Sequence, residues 1–182
     1  MIERLVIPEV LLITPKRFKD GRGWFSEAFK LAEAEVAGLP AFIQDNESFS
    51  TEAGVVRGLH FQTPPFAQAK LIRCVAGAIL DVAVDIRTDS PTYGQHVAAE
   101  LSAANGAQIF VPAGFAHGYC TLQPGCLIEY KVSSRYSPEH ERGVLWNDTT
   151  LAIAWPVPPE DALITDRDRA FPGLAELPAY FS

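Results

Sequence analysis

One run of the chain, KLIRCVAGAILDVAVDIR, carries the clearest pattern of apolar and polar positions. Gly77 divides it into two segments of strand length. The second alternates Leu80, Val82, Val84 and Ile86 with Asp81, Ala83, Asp85 and Arg87. A period of two sends the two sets to opposite sides of a pleated strand, so the pattern predicts one apolar and one polar face. Shorter runs of the same kind predict strands over residues 42–48, 55–61, 97–101, 107–111, 118–122 and 127–133. The one convincing helix is LAEAEVAG, residues 31–38, rich in Ala and Glu and stopped by glycine. Many short strands with little helix indicate an all-β barrel or jelly roll rather than alternating β and α units. No internal repeat or linker interrupts the chain, which fits one domain over residues 1–182. The Pro-rich segment 156–182 is expected to pack over a pocket.

Composition narrows the function classes. The chain has 182 residues, 48% of them hydrophobic and 20% charged, as in compact folded proteins. A net charge of -7 argues against a nucleic-acid surface, although a local basic pocket for a small anion remains open. No apolar run is long enough to span a membrane, and MIERLVIPEV lacks the basic and apolar regions of a signal peptide. Cys74, Cys120 and Cys126 form no CxxC pair and suit a reducing compartment, so the cytoplasm is expected.

The segment VVRGLHFQTPPFAQAK places many polar groups where a strand is predicted. Gly54, His60 and Gln62, followed by Lys70 and Gly77, form one spaced set; Gly106, Pro112, Gly114 and His117 form another. These spacings resemble the paired motifs of the cupin superfamily, double-stranded β-helix jelly rolls whose inner strands hold a metal. Here Gln62 stands for a ligand histidine and Lys70 for the ligand glutamate. An ammonium repels a cation, and His60 with His117 is too small a ligand set, so no metal is expected. A histidine near a lysine suits proton abstraction from carbon instead. His60 can act as the base if a carboxylate orients it, and Lys70 can stabilise an enolate on a neighbouring carbonyl. Tyr130, in LIEYKVSS, offers a phenol to return the proton. The set reads as epimerisation beside a ketone.

Seven pieces in register resemble the dTDP-4-dehydrorhamnose 3,5-epimerase family: FKDGRGWFSEAF, QDNESFS, GVVRGLHFQ, KLIRCVAGAILDVAVDIR, PAGFAHGY, EYKVSSRYSPEHERGVLWND and ITDRD. The resemblance implies a homodimeric isomerase with no metal and no other cofactor, acting on a dTDP-4-keto-6-deoxyhexose in dTDP-L-rhamnose biosynthesis. It places the base on His60, its carboxylate on Asp168, the acid on Tyr130 and the enolate-stabilising cation on Lys70. Substrate binding falls on Arg22, Glu27, Gln44, Asn46, Arg57, His117, Glu141 and Arg167. The family usually has Ser-x-Lys-Asp where this chain has Thr165-Asp166-Arg167-Asp168, and Asp166 remains a rival partner for His60. An arginine fork also differs from a lysine point charge. Diphosphate oxygens suit Arg22 and Arg57, and Trp24 or Phe25 suits stacking on thymine.

Plainer roles stand beside these. His117 is divided between substrate contact and scaffolding, and Tyr130 without the family register reads as a packed aromatic. Asp81 and Asp85 are left out of the site, either solvated or lining the barrel, and Trp146 and Trp155 are expected in the core. The rival functions are a mono-epimerase inverting only C3 or only C5, a metal-dependent cupin oxygenase, and a sugar-nucleotide binding module without catalysis.

Overall fold

The computed structural model describes residues 1–182. Its strands are β1 (Ile2–Arg4), β2 (Leu11–Ile13), β3 (Arg17–Asp20), β4 (Gly23–Ser26), β5 (Gln44–Ser50), β6 (Val56–Gln62), β7 (Lys70–Ala76), β8 (Ala78–Asp85), β9 (His96–Ser102), β10 (Gln108–Val111), β11 (Phe115–Thr121), β12 (Cys126–Val132) and β13 (Glu141–Gly143). Helix α1 (Leu31–Val36) lies between β4 and β5, and α2 (Asp166–Arg169) lies near the C-terminus. The strands form a six-stranded sheet ordered β1-β2-β10-β7-β12-β5, a five-stranded sheet ordered β13-β6-β11-β8-β9, and the separate hairpin β3-β4. This is a cupin-type jelly roll with two facing sheets. No helix is long and apolar enough to cross a membrane.

The interior between the sheets is filled by alternate residues of both. Ile72, Cys74, Ile109, Val111 and Ile128 come from the six-stranded sheet; Ile79, Ala83, Val97, Leu101 and Phe115 come from the other. Each large side chain so buried contributes about 1.5–3 kcal/mol. Residues of the opposite parity on the five-stranded sheet, among them Leu59, Phe61, Val82 and Val84, form a second apolar layer with Ile86 just beyond β8. Leu151 and, from the C-terminal segment, Leu174, Leu177, Tyr180 and Phe181 cover it. Helix α1 does the same on the six-stranded sheet, setting Ala34 against Leu11, Leu71 and Phe110.

The alternation in β8 is therefore real, and its polar side does not face water. The apolar set faces outward beneath the C-terminal segment. Asp81, fully buried, lies on the inner side with Ala83. Gly77 breaks the two strands as expected, with φ +79°, and an added Cβ would lie 2.5 Å from Cys126 Sγ. Cys74, Cys120 and Cys126 are buried and unpaired. Trp146 is buried, and Trp155, packed on it, donates its Nε1–H to the Trp146 carbonyl at 2.7 Å.

The expected strand at 42–48 is β5, displaced two residues toward the C-terminus, and the expected helix stops at Val36. Strands β1 to β4 and β13 have three or four residues each, too few to display a period.

Candidate active site

His60 on β6 and His117 on β11 are direct cross-strand partners. The next pair is Arg57 with Tyr119, so β6 holds one more residue than β11 across this interval. Such a bulge changes which side chains face inward, and Arg57, three residues before His60, lines the same cavity. Glycines permit it: at Gly58, with φ +135°, a Cβ would lie 2.5 Å from the Gly118 Cα.

The cavity holds about 300 Å³. Arg57 and His60 reach it from β6, Lys70 from β7, His117 and Tyr119 from β11, and Tyr130 from β12. Glu141 of β13 and Arg167 of α2 close one side. An adjoining cavity of about 270 Å³ shares His60, Lys70, Tyr130 and Glu141 and adds Gln44 and Asn46. Gln44 donates its amide N–H to Asn46 Oδ1 at 2.7 Å. Ten of the twelve residues proposed for the site from sequence thus line one continuous polar space or, in the case of Asp168, support it from behind.

Asp168 holds the His60 ring. Its Oδ1 lies 3.0 Å from His60 Nε2, and its Oδ2 accepts the Gly58 backbone N–H at 3.2 Å. The Thr165 hydroxyl accepts the Asp168 N–H at 3.2 Å, so this N-cap fixes the first turn of α2 and the direction of the carboxylate. Burial pushes the Asp168 carboxyl up, but the bonds to His60 and Gly58 outweigh it and hold the group below the usual carboxylate range. Asp166 is exposed, which leaves Asp168 as the partner.

Lys70 extends its ammonium to the His60 carbonyl at 3.4 Å. Burial depresses its pKa to about 8, partly opposed by the charges of Asp81 and Glu141. Asp81 stands behind His117, its two oxygens 3.0 and 2.9 Å from His117 Nε2. Burial raises the Asp81 carboxyl and lowers His117, each against its charged form. Burial likewise raises Tyr130, with the Arg57 charge opposing, which keeps the hydroxyl a proton donor. Glu141 accepts hydrogen bonds from the Tyr136 hydroxyl and from Arg167 Nη1, both at 2.8 Å.

Gln62 serves the scaffold: its amide donates to the Phe66 and Arg135 carbonyls, and its oxygen accepts the Ser137 N–H, tying two loops to β6. Arg22 and Glu27 lie away from the central cavity of their own chain. Arg22, at the tip of the β3-β4 hairpin, is exposed and paired with Asp20 at 2.7 Å. Glu27 pairs with Lys30 at 2.8 Å beside a separate cleft along α1. Asp81, Tyr119, Tyr136 and Ser48, the last joined to Tyr119 by a 3.0 Å hydroxyl contact, are site residues that sequence reasoning left out. The aspartate had a detectable signal, its place on the polar side of a strand; the two tyrosines and the serine had none.

A jelly roll with a histidine–aspartate pair, a lysine and a buried phenol around one cavity defines a cupin-type acid–base enzyme. The chain belongs to the dTDP-4-dehydrorhamnose 3,5-epimerase family, whose sequence profile matches residues 4–176. A dTDP-4-dehydrorhamnose 3,5-epimerase of Sinorhizobium fredii is 52% identical over 181 residues, 98% of this chain and 92% of that protein. The crystal structure of the Bacillus anthracis enzyme of the same name, with TDP and PPi bound, superposes with a TM-score of 0.92 at 47% identity, covering 95% of this chain and 98% of that one. The Legionella pneumophila dTDP-6-deoxy-D-glucose-3,5-epimerase, in complex with dTDP-4-keto-L-rhamnose, gives 0.93 at 40% identity, covering 98% and 95%.

Proposed function

We propose that this chain is an isomerase that converts dTDP-4-dehydro-6-deoxy-D-glucose to dTDP-4-dehydro-L-rhamnose by inverting C3 and C5. The observation that carries this is the His60–Asp168 pair, 3.0 Å apart, in one cavity with Lys70 and Tyr130. Both carbons neighbour the C4 ketone, so one base and one enolate site can serve both. Asp168 engages Nε2 of His60, and Nδ1, free of any protein hydrogen bond, takes the proton. The C–H electrons move into an enolate whose oxygen Lys70 stabilises. Tyr130 then gives its phenolic proton to the opposite face of the carbon. Solvent returns the proton from His60 to Tyr130, the ring flips, and the second carbon follows the same course.

Arg57 lies in the cavity as a fork for diphosphate oxygens, with Gln44, Asn46, His117, Glu141 and Arg167 around the remaining substrate. The proposal includes a homodimer. The β3-β4 hairpin exposes Phe18, Trp24 and Phe25 and turns Arg22 away from its own cavity, which suits delivery of Arg22 to a partner's nucleotide site. A reducing cytoplasm fits the three unpaired buried thiols.

Incubation with the keto sugar in D₂O, read by NMR, tests the reaction. Deuterium at both C3 and C5 is expected. Deuterium at one carbon would establish a mono-epimerase, and none at either would refute the proposal.

A further inference from the structure

His60 meets a second group from the C-terminal segment besides its carboxylate. The Phe171 ring stands 5.6 Å from the imidazole, centroid to centroid, with the planes at 78°. Perpendicular aromatic pairs of this kind are attractive and directional. Phe171 reaches this place because Gly143, the residue opposite His60 in the β13-β6 pair, has no side chain. A Cβ on Gly143 would lie 2.3 Å from Phe171 Cε2. The aromatic ring therefore fills the position that a cross-strand neighbour of His60 would otherwise occupy. The Arg167 guanidinium lies 5.9 Å from the same ring.

We propose that Phe171 is a positioning residue for the base, seated on Gly143 so that it fixes the plane of the His60 imidazole. The hydrogen bond between Nε2 and Asp168 anchors the ring at one atom but leaves it free to pivot about that bond. The perpendicular Phe171 ring removes the pivot and keeps Nδ1 directed at the substrate carbon. Proton transfer from carbon is sensitive to such alignment, because the nitrogen lone pair must lie along the C–H bond. Phe171, Asp168 and Arg167 arrive within one short segment, so docking of that segment delivers the carboxylate and the aromatic stop together.

The inference rests on His60 being the base, and the test separates the two. Phe171→Ala, Phe171→Leu, Phe171→Tyr and Gly143→Ala are compared with His60→Ala in kcat, KM, dTDP affinity, melting temperature and solvent deuterium exchange. Phe171→Ala is expected to lower kcat about tenfold while KM and dTDP affinity stay within about twofold. Phe171→Tyr, which keeps the ring, recovers most of that loss, and Phe171→Leu, which keeps the bulk alone, does not. Gly143→Ala, which displaces the ring, reproduces the loss, and its combination with Phe171→Ala is no worse than either alone. Wild-type kcat in Phe171→Ala overturns the positioning role, as does full activity in Phe171→Leu. A rise in KM matching the fall in kcat also overturns it. Should Phe171→Ala fail to fold, Phe171→Leu against Phe171→Tyr carries the same decision. Wild-type exchange in His60→Ala would instead overturn the base assignment, whatever the Phe171 variants do.

Discussion

Lys70→Met is expected to make the protein more stable and nearly inactive at once. The lysine pKa falls from 10.5 to about 8 because burial disfavours the ammonium. Below pH 8 the group is protonated both folded and unfolded, and the folded state bears the whole cost of the buried charge. Between pH 8 and 10.5 the unfolded chain holds the proton more tightly, so stability rises with pH across that window and is level above it. The fall from 10.5 to about 8, at about 1.36 kcal/mol per pH unit, gives an upper bound of about 3 kcal/mol. Lys70 retains some solvent access, and its removal deprives Asp81 of a favourable neighbour, so about 1–2 kcal/mol is the expected gain from methionine at pH 7. Urea unfolding at pH 7 and pH 9.5 measures it, and the advantage of the variant should shrink at the higher pH. Loss of the cation proposed to stabilise the enolate should lower kcat about 10²–10³-fold. Wild-type kcat should itself decline as pH rises through about 8, where Lys70 gives up its proton. A variant less stable than wild type at pH 7, or one with kcat within tenfold of it, would refute the reasoning.

Other outcomes follow from the same geometry. Asp168→Asn should cost about 10²-fold or more in kcat by releasing His60 and favouring the wrong ring tautomer, whereas Asp166→Asn should stay near wild type; equal kcat values for the two would refute the pairing. Tyr130→Phe should stop product formation while deuterium still exchanges into recovered substrate, and undiminished epimerisation would remove Tyr130 as the acid. Gly118→Ala should destabilise the fold by about 2 kcal/mol or more, since its Cβ would lie 2.7 Å from the Arg57 carbonyl oxygen; an unchanged urea midpoint would refute that close approach. Arg22→Ala should raise KM for the nucleotide sugar with little change in kcat. Sedimentation of the wild type as a monomer would sink the route by which Arg22 reaches a site.

Much of this protein can be read from its sequence. The period of two in β8, the glycine break before it and the scarcity of helix indicate an all-β barrel or jelly roll, because alternation follows directly from pleat geometry. The spacing of His60, Gln62 and Lys70 and the order of seven motifs point to the same pocket, and the structure brings His60, Lys70, Tyr130 and Arg57 to it. Tertiary structure alone decided the rest. Periodicity separates the faces of a strand without saying what covers each one, so only the C-terminal segment over Val82 and Val84 shows that the apolar face of β8 looks outward. Asp81 thereby becomes the buried partner of His117. Asp168 lies 108 residues from His60 along the chain and wins over Asp166 because the Thr165 cap turns it inward. The bulge that sets Arg57 beside His60 depends on two glycines meeting across β6 and β11, a contact that neither strand's sequence specifies alone. Local pattern settles which residues a strand presents; packing between distant segments settles what they meet.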